Sequence, residues 1–270
     1  MTGERPALVL DFGGPVMLSP FELTMRAEQR LGLPAGSLPW RGPFDPGNDA
    51  EWRDVQSGAL AERSYWANRA EEFASLTGRP ARTRDLFRAL YDESEGFLVR
   101  EGARALMTAA RDAGVPVGIL TNDLGAFHPP EWVNALQVLR LADALVDGSH
   151  VGILKPDPRI YQMIAEQLGV EPDDVVFLDD QPVNLAGAIA VGMTAVPVDV
   201  TAPDEAFSRA RSLLSLVTHP LPSRGGQDNG QRTAGRHRSR ACPTRIGPGG
   251  LAPGNVLRAL DVPIYLRRAY

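Results

Sequence analysis

The sequence predicts an α/β fold: a parallel sheet covered by helices on both faces, with a helical insertion after the first strand. Two observations carry this. Apolar runs that each stop at a polar residue recur along the chain, and helical patterns separate most of them. A long stretch after the first run then breaks that rhythm.

Pro6 to Phe12, with Ala-Leu-Val-Leu before Asp11, is continuous and apolar, as a strand buried on both faces should be. Val115–Leu120 repeats the pattern before Thr121. Ala142–Val146 is a weaker third strand, Val175–Leu178 before Asp179 a fourth, and Thr194–Val198 a short fifth. Helical patterns fall at about 101–113, 157–168, 182–191 and 203–217. Alternating strands and helices imply parallel strands joined by right-handed crossovers.

Residues 18–92 hold no clear strand. They show helical stretches at 21–31, 51–74 and 82–93, with Pro/Gly-rich turns at 34–48 and 78–80. This segment reads as an inserted cap, the core being 1–17 and 93–218; a helical half of the core is the alternative. Trp40, Trp52, Tyr65 and Trp66 within it read as core residues. Residues 219–270 carry 8 Gly, 6 Pro and 9 Arg, a basic composition expected to be mostly disordered, with Asn255–Tyr270 able to form a short basic amphipathic helix.

The chain has 270 residues, 43% of them hydrophobic, and one cysteine, Cys242, which excludes an internal disulfide. The four histidines lack metal-ligand spacing. No apolar run reaches the 18 or so residues of a membrane span, and the N-terminus lacks the features of a signal peptide. A cytoplasmic protein with no membrane partner is expected, monomeric or homodimeric. Residues 1–218 have a net charge of −12 and residues 219–270 of +7. The acidic body argues against nucleic acid as a partner of the core, leaving only the tail open.

Four polar points stand where apolar strands end: Asp11, Thr121, the loop at Lys155, and Asp179-Asp180. Ligands of open parallel sheets bind at the carboxyl ends of strands, so these residues should converge. Any one Asp after a strand can be a simple turn or cap residue. Together they make coherent chemistry. Carboxylates without clustered His or Cys favour a hard cation such as Mg²⁺. Lys155 is the only lysine beside 27 arginines, which points to a site that needs a compact ammonium. Thr121 can donate to a phosphoryl oxygen, and Asp11 can attack phosphorus. Gly13-Gly14 lets the backbone come close to metal and phosphate.

From residue 6 to about 200 the chain resembles the haloacid dehalogenase-like hydrolase superfamily, whose core is Rossmann-like. The matching motifs are Leu8–Gly14 around Asp11, Ile119-Leu-Thr121-Asn122, Val151–Tyr161 around Lys155-Pro-Asp, and Val175–Asn184 around Asp179-Asp180. The resemblance implies Asp11 as nucleophile and Mg²⁺ held by Asp11, the Gly13 carbonyl and Asp180, with Asp179 in support. It implies that Thr121 and Asn122 bind the phosphoryl group, that Lys155 bridges it to Asp11, and that 18–92 is the family's cap.

One departure stands out. Most phosphatases of the superfamily carry a second Asp two residues after the nucleophile, as general acid and base; here that place is Gly13, and Pro15 also departs from the usual Thr or Val. The Asp-x-Gly form is similar to that of a sugar-1-phosphate phosphatase subgroup. Motifs two to four are similar to those of the phosphatase domain of soluble epoxide hydrolase. Asp123 and His128, in the loop after the second strand, are candidate donors in its place, with the stretch to Trp132 a possible pocket wall; His128 as a surface turn residue is the alternative. The leading expectation is a Mg²⁺-dependent phosphatase acting on a small phosphorylated metabolite through an aspartyl-phosphate. Its alternatives are a catalytically silent binding protein on the same fold and a metal-independent 2-haloacid dehalogenase.

Overall fold

The computed structural model describes residues 6–216. Five strands, β1 (Ala7–Leu10), β2 (Val117–Thr121), β3 (Ala144–Asp147), β4 (Val175–Asp179) and β5 (Thr194–Pro197), form one sheet in the order β3-β2-β1-β4-β5. Every pairing is parallel, and β1 lies at the centre, with Leu8 opposite Val117 on one side and Val176 on the other. All four β1 residues are fully buried, which explains an unbroken apolar run rather than an alternating one.

The helices run in chain order as α1 (Pro20–Leu31), α2 (Ala50–Ser57), α3 (Glu62–Thr77), α4 (Thr83–Leu90), α5 (Glu95–Leu98), α6 (Glu101–Asp112), α7 (Leu124–Phe127), α8 (Pro130–Ala135), α9 (Gly148–Val151), α10 (Pro158–Leu168), α11 (Pro182–Ala190) and α12 (Asp204–Leu213). α10 and α11 pack together on the sheet, and α6 and α12 form a second pair. Ile160, Tyr161 and Ile164 of α10 bury against Val9, Leu120 and Phe177.

Residues 18–92 are helical and contain no strand, as the sequence indicates. The helix expected over 51–74 is two helices, because Gly58 ends α2 in the left-handed region at φ 78°. The next helix ends at Gly78 in the same way. Asp49 fixes this region: its carboxylate accepts from the Trp52 amide, the Gly42 amide and the Tyr65 hydroxyl at 3.0, 3.1 and 2.8 Å. The short helices α5, α7, α8 and α9 were not legible as periodic patterns, since each has six residues or fewer.

The segments entering and leaving the insertion lie side by side. Leu18 N–H donates to the Leu98 carbonyl at 2.8 Å and Arg100 N–H to the Val16 carbonyl at 2.9 Å, around an antiparallel bridge between Met17 and Val99. No helix among the described residues is long and apolar enough to cross a membrane. The readings made for 219–270, including a helix over Asn255–Tyr270, fall outside the described residues.

Candidate active site

The central strand delivers Asp11 to the rim of the sheet, where its amide still donates to the Leu178 carbonyl of β4 at 2.8 Å. The neighbouring strands deliver Thr121 and Asp179-Asp180 to the same rim. Lys155 arrives from the loop before α10, and its ammonium lies 2.8 Å from Asp11 Oδ1 and 2.6 Å from Asp179 Oδ2. Carboxylate oxygens of Asp11, Asp179 and Asp180 come within 4.8 Å of one another. Residues more than 160 positions apart in sequence thus meet at one point, as the strand-end argument requires.

The environment of each carboxyl differs. Asp179 is fully buried and accepts from the Gln181 amide at 2.8 Å and from Asn184 Nδ2 at 3.1 Å, besides Lys155. Its oxygens are thereby occupied. Asp11 and Asp180 face the cavity instead. Burial pushes Asp11 up to about 7, against the pull of Lys155. Burial, and then the charges of Asp179 and Asp11, raise Asp180 well above the usual carboxylate range. Burial alone would lower Lys155, but Asp11 and Asp179 outweigh it and keep the ammonium charged. Crowded acids with raised pKa values around one lysine have a deficit of positive charge. The donor set is all oxygen, which fits a hard divalent cation.

Gly14 sits at φ 96°, and a Cβ there would meet the Asp180 carboxylate at 3.0 Å, so both backbone angle and close approach demand glycine. Gly13 differs: a Cβ on it meets nothing within 4 Å. Arg100 holds this turn from behind, donating to the Gly14 carbonyl at 2.6 Å and to Glu22 at 2.7 Å.

Thr121 is buried at the end of β2 and lines the cavity. Asn122 also lines it, while its side-chain amide clasps the Lys155 backbone, accepting from N–H at 2.8 Å and donating to the carbonyl at 3.3 Å. Asp123 accepts from Arg63 Nε of α3 at 2.7 Å. His128 is buried rather than a surface turn residue, stacked on Trp132 at 3.9 Å and edge-on to Tyr91 at 4.9 Å. Burial, helped by the charge of Arg84, pushes it down to about 3, so it is a neutral imidazole near neutral pH.

The opposite wall comes from the helical insertion. Trp40 and Tyr65 are buried core residues, as expected, but Trp52 and Trp66 are both buried and part of the cavity lining, together with Phe21, Phe87 and Tyr91. The cavity measures about 100 Å³. Glu62 stands on this wall at the first position of α3, accepting from Trp66 Nε1 at 3.1 Å. Burial raises its pKa, eased by that hydrogen bond. Sequence reasoning missed it, because a glutamate opening a helix reads as an ordinary dipole-pairing residue. Arg100 was missed too, although Ser19 and Glu22, which form a capping box beside it, are visible in sequence.

Residues 46–192 match the model of the haloacid dehalogenase-like hydrolases, more than half of the chain. The chain belongs to this family. Over 220 residues, 79% of the chain, it is 28% identical to Acyl-CoA dehydrogenase family member 10 of Mus musculus, covering 19% of that protein. Over 158 residues, 56% of the chain, it is 29% identical to a phosphoserine phosphatase of Thermus thermophilus, covering 63% of it. The chain therefore spans less than two thirds of either relative. A dehalogenase solved as an intermediate complex superposes with a TM-score of 0.53 at 23% identity, covering 79% of this chain and 99% of that one, and so shares the fold.

Proposed function

We propose that the protein is a Mg²⁺-dependent phosphomonoester hydrolase that works through an aspartyl-phosphate on Asp11, with residues 18–92 as the cap over its site. The observation that carries this reading is the contact of the Lys155 ammonium with Asp11 at 2.8 Å, with Asp180 beside it in one cavity. The similarity to a phosphoserine phosphatase supports it.

Asp11 and Asp180, with the Gly13 carbonyl, would hold the ion, and Asp179 backs them by fixing Lys155. When bound, the ion supplies positive charge against the phosphoryl oxygens. An Asp11 oxygen attacks phosphorus, the P–O bond to the alcohol breaks, and the alcohol leaves with a proton. Water then attacks phosphorus, releasing inorganic phosphate and freeing the Asp11 carboxylate. Thr121 donates to a phosphoryl oxygen, and Asn122 keeps Lys155 in place.

The proton for the leaving oxygen has one well-placed source. Gly13 offers none, His128 is a neutral imidazole, and Asp123 is ion-paired with Arg63. Glu62 is a cavity-lining carboxyl whose contact is the neutral Trp66 indole, and we assign it this donor role.

Hydrolysis of p-nitrophenyl phosphate by wild type and Asp11→Asn, with and without EDTA, tests the reading. Wild-type turnover that EDTA stops and Asp11→Asn lacks, by about 10⁴-fold or more, is expected. Activity retained by Asp11→Asn overturns it. Halide release from a 2-haloacid in the presence of EDTA would favour a dehalogenase instead. Phosphate binding without turnover would favour a silent binding protein.

A further inference from the structure

We infer that the substrate, on the phosphatase reading above, is the phosphomonoester of a short, uncharged, apolar alcohol rather than of a hydroxy acid or amino acid.

The cavity has two unlike halves. On the rim side stand the acids and Lys155. On the other side Phe21, Trp52, Trp66, Phe87 and Phe127 form a continuous wall, with Phe21–Trp52, Trp66–Phe87 and Phe87–Phe127 centroids at 4.8, 5.2 and 4.3 Å. Rings locked against one another present a surface of fixed shape, whose polar atoms are few: the Trp66 indole N–H, bonded to Glu62, and the buried Trp52 indole N–H, which has no hydrogen-bond partner among the described residues.

The charge inventory sharpens the point. Among the described residues lining the cavity, Lys155 is the one cationic side chain, and its ammonium, 1% exposed, is held by Asp11 and Asp179. Arg63 and Arg84 lie outside the lining; Arg63 pairs with Asp123, and Arg84 donates to the Gly125 carbonyl at 3.0 Å. His128 is neutral. Apart from the Tyr91 phenol, the other ionisable neighbours are carboxyls: Asp11, Glu62, Asp123 and Asp180. A carboxylate carried by the leaving group would therefore be stripped of water without a partner and placed among acids. An alkyl chain in the same place gains from burial against the rings.

Size follows from the same cavity. About 100 Å³ takes about three water-sized groups at their roughly 30 Å³ share, which favours a small leaving group beside the phosphoryl.

The test compares kcat/KM of the full chain with Mg²⁺ for n-butyl phosphate, phosphoserine, phosphoglycolate and phosphocholine, with p-nitrophenyl phosphate as reference. All four esters have alkyl leaving oxygens, so the side group decides. Butyl phosphate is expected to exceed phosphoserine and phosphoglycolate by about 10²-fold. Equal or better turnover of either acid overturns the inference and leaves the phosphatase reading standing. Preference for phosphocholine overturns it in favour of a cationic side group. Failure to hydrolyse any ester, p-nitrophenyl phosphate included, removes the phosphatase reading and this inference with it. Phe127→Lys, at a partly exposed lining position, should raise the ratio of phosphoglycolate to butyl phosphate about tenfold. Phe127→Leu serves as the folding control, and an unmoved ratio with p-nitrophenyl phosphate turnover intact counts against the inference.

Discussion

The two walls of the cavity are built on opposite principles. The strand-end wall is polar and tightly paired: Lys155 between Asp11 and Asp179, Asn122 on the Lys155 backbone, Arg100 on Gly14. The insertion wall is aromatic, and Glu62 is its one carboxyl. One wall fixes reacting atoms through charge and short distances. The other sets shape and dryness and, on the inference above, the choice of leaving group. On the proposed reading, the proton donor that position 13 does not supply stands on the wall facing it.

The largest effects should come from the polar wall. Lys155→Ala leaves Asp11 and Asp179 buried without their cation, costing about 3–5 kcal/mol of stability and about 10³-fold in turnover. Lys155→Arg should fold better yet still lose about 10²-fold, because a fork-shaped guanidinium does not fit a point-charge site. Chemical denaturation with steady-state kinetics on both variants checks this; full activity in Lys155→Arg would erase the special status of the lone lysine.

Next comes the exchange between walls. Glu62→Gln should lower kcat for alkyl phosphates by about 10²-fold while sparing p-nitrophenyl phosphate, whose leaving group needs no proton. Equal losses on both substrates would mean that Glu62 only positions Trp66. Gly13→Asp, where a Cβ meets nothing within 4 Å, should return about tenfold to the Glu62→Gln variant on alkyl esters. No recovery would separate the two positions chemically.

The smallest effect concerns His128. Its folded pKa of about 3 lies below the value near 6.5 of the unfolded chain, so the unfolded state binds the proton first as pH falls. The stability it contributes is complete above about pH 6.5 and is lost progressively as pH drops toward 3. By pH 5 the loss is about 2 kcal/mol. Asp11, raised to about 7, contributes with the opposite sign over this range, so the effect is read as a difference: from pH 7 to pH 5, wild type should lose about 2 kcal/mol relative to His128→Phe in urea denaturation.

How much of this was legible in the sequence follows the same division. The strands were readable because burial on both faces writes them as unbroken apolar runs, and the residue after each run is the one the sheet offers to a ligand. Asp11, Thr121, Asp179 and Asp180 were visible for that reason, and Lys155 because it is the one lysine among 27 arginines. The insertion wall was not. Trp52 and Trp66 are apolar enough for a core and near enough to a ligand for a pocket, and helical periodicity does not distinguish these uses. Glu62 acquires its character from Trp66 and from rings 40 and more positions away or brought in from other helices. His128 looked like a candidate proton donor in sequence, and its burial, helped by the charge of Arg84, disqualifies it. The break at Gly58 was readable in principle as a helix-ending glycine, but flanking helical patterns on both sides concealed it.

The paired segments at Met17 and Val99 carry one more consequence. The chain enters and leaves residues 18–92 through two segments bonded side by side, while Gln56–Gln181, Arg63–Asp123 and Arg84–Gly125 contacts tie the far side of that region to the core. Exchanging that region as a block would keep its two ends in register but would remove Glu62 from the cavity and Glu22 and Arg63 from Arg100 and Asp123.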